Sequence, residues 1–151
     1  MDPKNILISV DASENATRAV AYAATLLGGQ AGVRVTLLYV ERMPPRDLYR
    51  SEEEWKGQCS LEKQRVFDFL KAARATLLAS GLPDSSIFER AVLCSEEPSI
   101  SKTILEVQQE GGYGTLVVGR RGITKGEEFL FGSVSSKLVH NARDCAVWVV
   151  Q

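Results

Sequence analysis

The chain has 151 residues, enough for one ordinary domain with a well-buried core and too few to expect two. With 44% hydrophobic and 25% charged residues it has the composition of a soluble globular protein, and a net charge of −1 offers no global field for nucleic acid or an anionic membrane. Three distant cysteines and one histidine, in no metal-ligand spacing, speak against zinc and for free thiols in a reducing cytoplasm.

Asp2 and Lys4 precede only a short apolar run, so no signal peptide is expected, and no stretch approaches the roughly 20 apolar residues of a membrane span. Lys4 to Val10 is β-branched and apolar, bounded by Pro3 and by Asp11-Ala12-Ser13, which predicts a buried strand. Ala16, Ala19, Val20, Ala23, Leu26 and Leu27 then recur at helical spacing. Gly28-Gly29 is expected to stop that helix in the left-handed conformation. Val33 to Val40 reads as a second strand, apolar enough to be covered on both faces.

Glu41 to about Lys56 is a polar connection holding Pro44-Pro45 and the acidic run Glu52 to Glu54, which is most simply a solvated face. Whether its second half is already helical stays open at this point. Leu61, Val66, Phe69, Leu70, Ala73 and Leu77 mark a long amphipathic helix closed by Gly81, and Ile87 to Cys94 a third strand. Pro98 suits the first turn of a helix whose apolar face is Ile100, Ile104 and Val107, ending at Gly111-Gly112. Gly114 to Gly119 is a fourth strand, Val134, Leu138 and Ala142 a last helix, and Cys145 to Val150 a fifth strand.

Strands alternating with helices imply right-handed crossovers and a mostly parallel sheet with helices on both faces, in one domain over residues 1–151. Ligands of such sheets bind outside the carboxyl ends of the strands, at the point where the winding reverses. The loops after the first, second and fourth strands are therefore the candidates.

The segment Gly119 to Ser135 leaves a strand and enters a helix. Glycines let backbone amides approach a phosphate, and the helix N-terminus at Gly132-Ser133 favours an anion. Ser133 and Ser135 add hydroxyls, while Arg120, Arg121 and Lys125 add cations. The plainer reading is a turn shaped by Gly119 and Gly122 with Ser133 as an N-cap. Glu127 and Glu128 weigh slightly against a phosphate. The segment is not a P-loop, because five residues separate Gly126 from Gly132 and no lysine follows; nor does a GxGxxG follow the first strand. No Ser-His-Asp or Cys-His constellation surrounds His140, which reads as structural or exposed.

The spacing Gly119-x2-Gly122-x9-Gly132-Ser133 resembles the G-x2-G-x9-G-[S/T] motif of the universal stress protein family. The opening ILISVDASENATRAVAYAATLL and the ending GSVSSKLVHNARDCAVWVV are similar to that family in their expected places. The resemblance implies a five-stranded parallel sheet in the order 3-2-1-4-5, adenine nucleotide alpha hydrolase-like, and bound ATP, since members with this motif typically bind it. It places Asp11 near the ribose, or near the phosphates and Mg2+, and Val40 in the adenine slot. Val118, Gly119, Arg121, Gly122, Gly132, Ser133, Val134 and Ser135 complete the implied pocket. By their residue types, Asp11 with Glu14 equally suits a capping box, and Ser13 an N-cap. The family often has a glycine before the proline after the third strand. Here Ser95-Glu96-Glu97-Pro98 stands there, and a carboxylate turned inward would repel a nucleotide.

The resemblance thus implies an ATP-binding switch or adaptor in the cytoplasm, since no residue is an evident activator of water. Slow ATP hydrolysis or phosphotransfer with Asp11 at Mg2+ is one alternative, and a stress protein acting through protein contacts without nucleotide is another. The last strand, apolar and carrying Trp148, is an edge that invites pairing, and in the resembled family such strands commonly pair into a homodimer. A single Arg120-Arg121 pair is no nucleic-acid patch.

Overall fold

The computed structural model describes residues 1–94, 99–120 and 133–151, with Ser133 in its backbone alone. In chain order the elements are β1 (Asp2–Val10), α1 (Glu14–Leu27), β2 (Arg34–Arg42), α2 (Glu52–Ala79), β3 (Ile87–Cys94), α3 (Ile100–Glu110), β4 (Tyr113–Gly119), α4 (Ser133–Asn141) and β5 (Ala146–Val150). Short 3-10 turns at Arg46–Leu48 and Asp84–Ser86 lead into α2 and β3.

All strands pair in parallel in the order β3-β2-β1-β4-β5, as the resemblance implies. Successive residues of a strand point to opposite faces, so a strand between two helical layers must be apolar throughout. In β1, Ile6, Ile8 and Val10 join Ala19, Val20, Ala23, Ala73 and Leu77 of α1 and α2 in one core. Leu7 points the other way, into a second core with Ile104, Val107 and Leu138 of α3 and α4. Among the described residues no helix is long and apolar enough to cross a membrane.

Several expectations shift. β1 takes in Pro3, whose missing N–H falls where the ladder with β4 changes register between Asp2 and Ile6. Gly28 caps α1 at φ −56° rather than in the left-handed region, which belongs to Gly29 at φ 73°. Gly28 is instead demanded by contact, since a Cβ there would stand 2.4 Å from the Ser80 carbonyl oxygen. α3 begins at Ile100, two residues beyond Pro98.

The polar connection is helical from Glu52, where Ser51 accepts the Glu54 amide at 3.1 Å and three glutamates complement the positive helix end. Counting 3.6 residues per turn back from Leu77, Ala73, Phe69 and Val66 puts Glu62 on the inward stripe, not Leu61, which is 67% exposed. N-terminal to Val66 the inward positions of α2 are Glu62, Cys59, Gln58 and Trp55, no longer uniformly apolar.

Candidate functional site

The parallel order places β1 between β2 and β4, so the crossovers on either side of β1 leave in opposite directions. Val10 pairs with Tyr39 and Ser9 with Val118, so Asp11, Val40 and Gly119 come together at the carboxyl edge. Val40 and Val118 are 8% and 6% exposed and belong to the core under α3 and α4. Their burial gives that edge an apolar floor.

Asp11 is exposed immediately after β1. Its Oδ1 accepts hydrogen bonds from the Ser13 amide at 3.1 Å and from the Ser13 hydroxyl, which locks the turn through the left-handed Ala12 at φ 57°. Ser13 is the N-cap of α1, accepting the Ala16 amide at 3.2 Å. The capping-box reading of Asp11 with Glu14 is thereby overturned, and Glu14 pairs instead with Arg18 at 3.3 Å.

Gly119 ends β4, and the Arg120 amide donates to the Val150 carbonyl at 2.7 Å, so Arg120 continues the sheet. Val134 is half-buried, and Ser135, expected to offer a hydroxyl to a ligand, is 3% exposed and faces inward. Ser133 opens α4, so the N-terminus of a helix stands at this residue. Arg121, Gly122 and Gly132 lie outside the described residues, as do Lys125, Glu127, Glu128, Glu96 and Glu97. His140 is exposed and donates Nδ1–H to the Ser136 carbonyl at 2.8 Å. No cluster of metal-ligating side chains occurs among the described residues.

Three residues that the sequence reading passed over meet at the same edge. Tyr39 donates its hydroxyl to Glu62 Oε1 at 3.4 Å, and Arg65 Nη2 donates to that same oxygen at 2.8 Å. Burial, and after it the Glu62 carboxylate, hold the Tyr39 phenol above its ordinary pKa. The hydrogen bond to Glu62 raises the pKa of Arg65, with a smaller contribution from the Asp11 carboxylate. The available signal was the helical spacing itself, which puts Glu62 rather than Leu61 on the inner face.

A model of the family described as "Universal stress protein family" matches residues 3–151. The structure of universal stress protein UspA from Lactobacillus plantarum is similar with a TM-score of 0.76 at 20% identity, over 100% of this chain and 99% of that one. A universal stress protein from Archaeoglobus fulgidus in complex with dAMP has a TM-score of 0.62 at 20% identity, over 97% of this chain and 96% of that one. A universal stress protein in complex with cAMP has a TM-score of 0.65 at 19% identity, over 97% and 94% of the two chains. At such identities the likeness speaks for the fold alone. No curated sequence matches the chain.

Proposed function

The chain belongs to the universal stress protein family, and on that premise we propose that it binds ATP and acts as a nucleotide-dependent switch or adaptor. The observation that carries this reading is the convergence of Asp11, Val40 and Gly119 at the carboxyl edge where the winding reverses. The residues present fit an adenine nucleotide. Val40 and Val118 offer an apolar floor for the base, and the exposed Asp11 carboxylate can accept from ribose hydroxyls or share in holding Mg2+. The amides at the start of α4, preceded by Gly119, Gly122 and Gly132 at the motif's spacing, are suited to phosphates. Arg121, Ser133, Val134 and Ser135 are the remaining pocket residues of this reading. Two structural neighbours are complexes with dAMP and cAMP, which favours an adenylate as the ligand class.

On this reading the whole of residues 1–151 acts as one domain. Cys59, Cys94 and Cys145 are joined in no disulfide, which suits a cytoplasmic protein. Homodimerisation through β5 is part of the same proposal, because that strand is an edge with β4 as its partner.

Thermal unfolding of nucleotide-stripped protein tests the reading, with ATP, ADP, AMP and GTP, each with and without Mg2+. ATP at about 100 times its dissociation constant adds roughly 2.7 kcal/mol of stability, whereas no shift with any adenylate overturns ATP binding. Gly122→Val abolishes the shift if the glycine motif forms the phosphate cradle. The exposed carboxylate of Asp11 favours slow hydrolysis or phosphotransfer as the second reading. That reading requires a turnover which Asp11→Ala removes from folded protein.

A further inference from the structure

α2 is long for the sheet it covers. Its 28 residues span roughly 42 Å, against roughly 30 Å for the nine residues of β2. The apolar part of its inward stripe, from Leu77 back to Val66, lies over the core. Towards the N-terminus the stripe continues without a break as Glu62, Cys59, Gln58 and Trp55, all partly withdrawn from solvent. Trp55 Nε1 donates to the Pro44 carbonyl at 2.8 Å, so this first half stands beside the loop that follows β2. Further along α2, Glu62 meets the hydroxyl of Tyr39, the neighbour of Val40 in β2. Arg46 lies over the Trp55 ring at 5.6 Å, so the loop after β2 covers this end of the stripe, and the charged position of the stripe is Glu62.

Arg65 lies on α2 between Glu62 and Val66, where the polar and apolar parts of the helix meet. Glu62 is held by the Tyr39 hydroxyl and in turn fixes Arg65 Nη2 at 2.8 Å. Tyr39 pairs with Val10, the residue before Asp11, and the Asp11 carboxylate acts electrostatically on Arg65. A carboxylate and a polyphosphate repel each other across one crevice unless a cation lies beside them. A guanidinium carries five donors in a rigid fork, so it can hold a second anion while paired to Glu62. The Arg65 side chain is 58% exposed, so the donors not used by Glu62 are open to a second partner.

We infer that Arg65, oriented by Glu62, is a further ligand-binding residue of this site, a cation that α2 presents to a polyphosphate lying beside Asp11. This rests on the nucleotide reading above and adds to it a contact from α2, outside the glycine motif. Glu62 is the positioning residue.

Calorimetric titration of the full chain with ATP, adenosine and inorganic tripolyphosphate tests it. The proteins are wild type, Arg65→Ala, Arg65→Lys and Glu62→Gln, each with its helical circular dichroism checked. Arg65→Ala weakens ATP and tripolyphosphate by roughly 10- to 100-fold and adenosine by less than about twofold. Arg65→Lys recovers part of the loss because it keeps the charge, and Glu62→Gln gives an intermediate loss confined to the phosphorylated ligands. Unchanged ATP affinity in Arg65→Ala, or equal weakening of ATP and adenosine, overturns the role of Arg65 and leaves the nucleotide reading standing. Arg65-dependent binding of tripolyphosphate without any nucleotide binding supports the role of Arg65 and overturns the adenylate reading. Wild type that binds neither overturns both.

Discussion

A Cβ on Gly119 would stand 2.5 Å from the carbonyl oxygen of Asn15, in the first turn of α1. The last residue of β4 is thus a glycine for a reason internal to the fold, namely that α1 enters directly against it. The first glycine of the motif therefore has a packing duty whether or not a phosphate binds. Gly119→Ala forces α1 away from the sheet and is expected to cost about 1–3 kcal/mol. For a chain of this length that is a fall in Tm of roughly 2–12 °C. Ligand-free thermal unfolding checks it, and a variant as stable as wild type would show that α1 yields freely at this point.

That contact also marks what could be read from the sequence alone. The alternation of apolar runs and helical stripes gave every strand and helix, because Ile6 to Val10 and Leu116 to Val118 must be buried on both faces to exist. Boundaries went astray where tertiary contact outranks local preference. Gly28 reads locally as a left-handed cap but is required by Ser80, and Leu61 reads as core although the helical phase favours Glu62. Asp11, Val40, Val118 and Gly119 were named through the family resemblance, and the strand order brings them to one edge of the sheet. The meeting of Tyr39, Glu62 and Arg65 was not legible, since it depends on where α2 packs against β2, which the sequence pattern does not give.

Arg74 ties the end of α2 to β3. Its Nε donates to Glu89 and its Nη1 to Asp84, each at 2.8 Å, while Nη2 donates to the Ile87 carbonyl at 3.0 Å. Asp84 is largely exposed, which limits what that arm contributes. The Glu89 and Ile87 arms are better shielded, so Arg74→Ala is expected to cost about 1–2 kcal/mol. Arg74→Lys restores little of this, because one ammonium cannot reproduce a fork that spans three acceptors. Urea unfolding checks both, with a lower midpoint and an unchanged slope.

The Tyr39 phenol has a sign that can be worked out. In the unfolded chain it ionises near pH 10, whereas burial and the Glu62 carboxylate raise its pKa in the folded protein. Above about pH 10 the unfolded chain has released this proton while the folded one retains it. The contribution of Tyr39 to stability is therefore complete below that pH and is lost as pH rises through the folded pKa. A difference titration of tyrosinate absorbance between wild type and Tyr39→Phe should give a midpoint above 10. Glu62→Gln should lower that midpoint without bringing it fully back, because burial is the larger cause. A midpoint unmoved by Glu62→Gln would show that the 3.4 Å contact is not maintained in solution.

The outer edge of β5, which pairs with no further strand among the described residues, bears on the proposed dimer. The Val150 carbonyl accepts from the Arg120 amide and so points towards β4. Backbone groups of successive strand residues face opposite sides, so the amide of Val149 points outwards, away from the sheet. Near it, Tyr22 and Trp148 meet edge-to-face at 6.4 Å and line, with Val149, Val150 and Gln151, a shallow cavity of about 380 Å³. An apolar edge with outward donors is what a second copy can pair with. Val149→Pro removes one outward donor while leaving the ladder with β4 intact, since proline is tolerated where its N–H would face solvent. Sedimentation velocity at matched concentrations should show a dimer for the wild type and mainly monomer for Val149→Pro, with unfolding still cooperative. A dimer that survives the substitution at every concentration would place the contact on another surface.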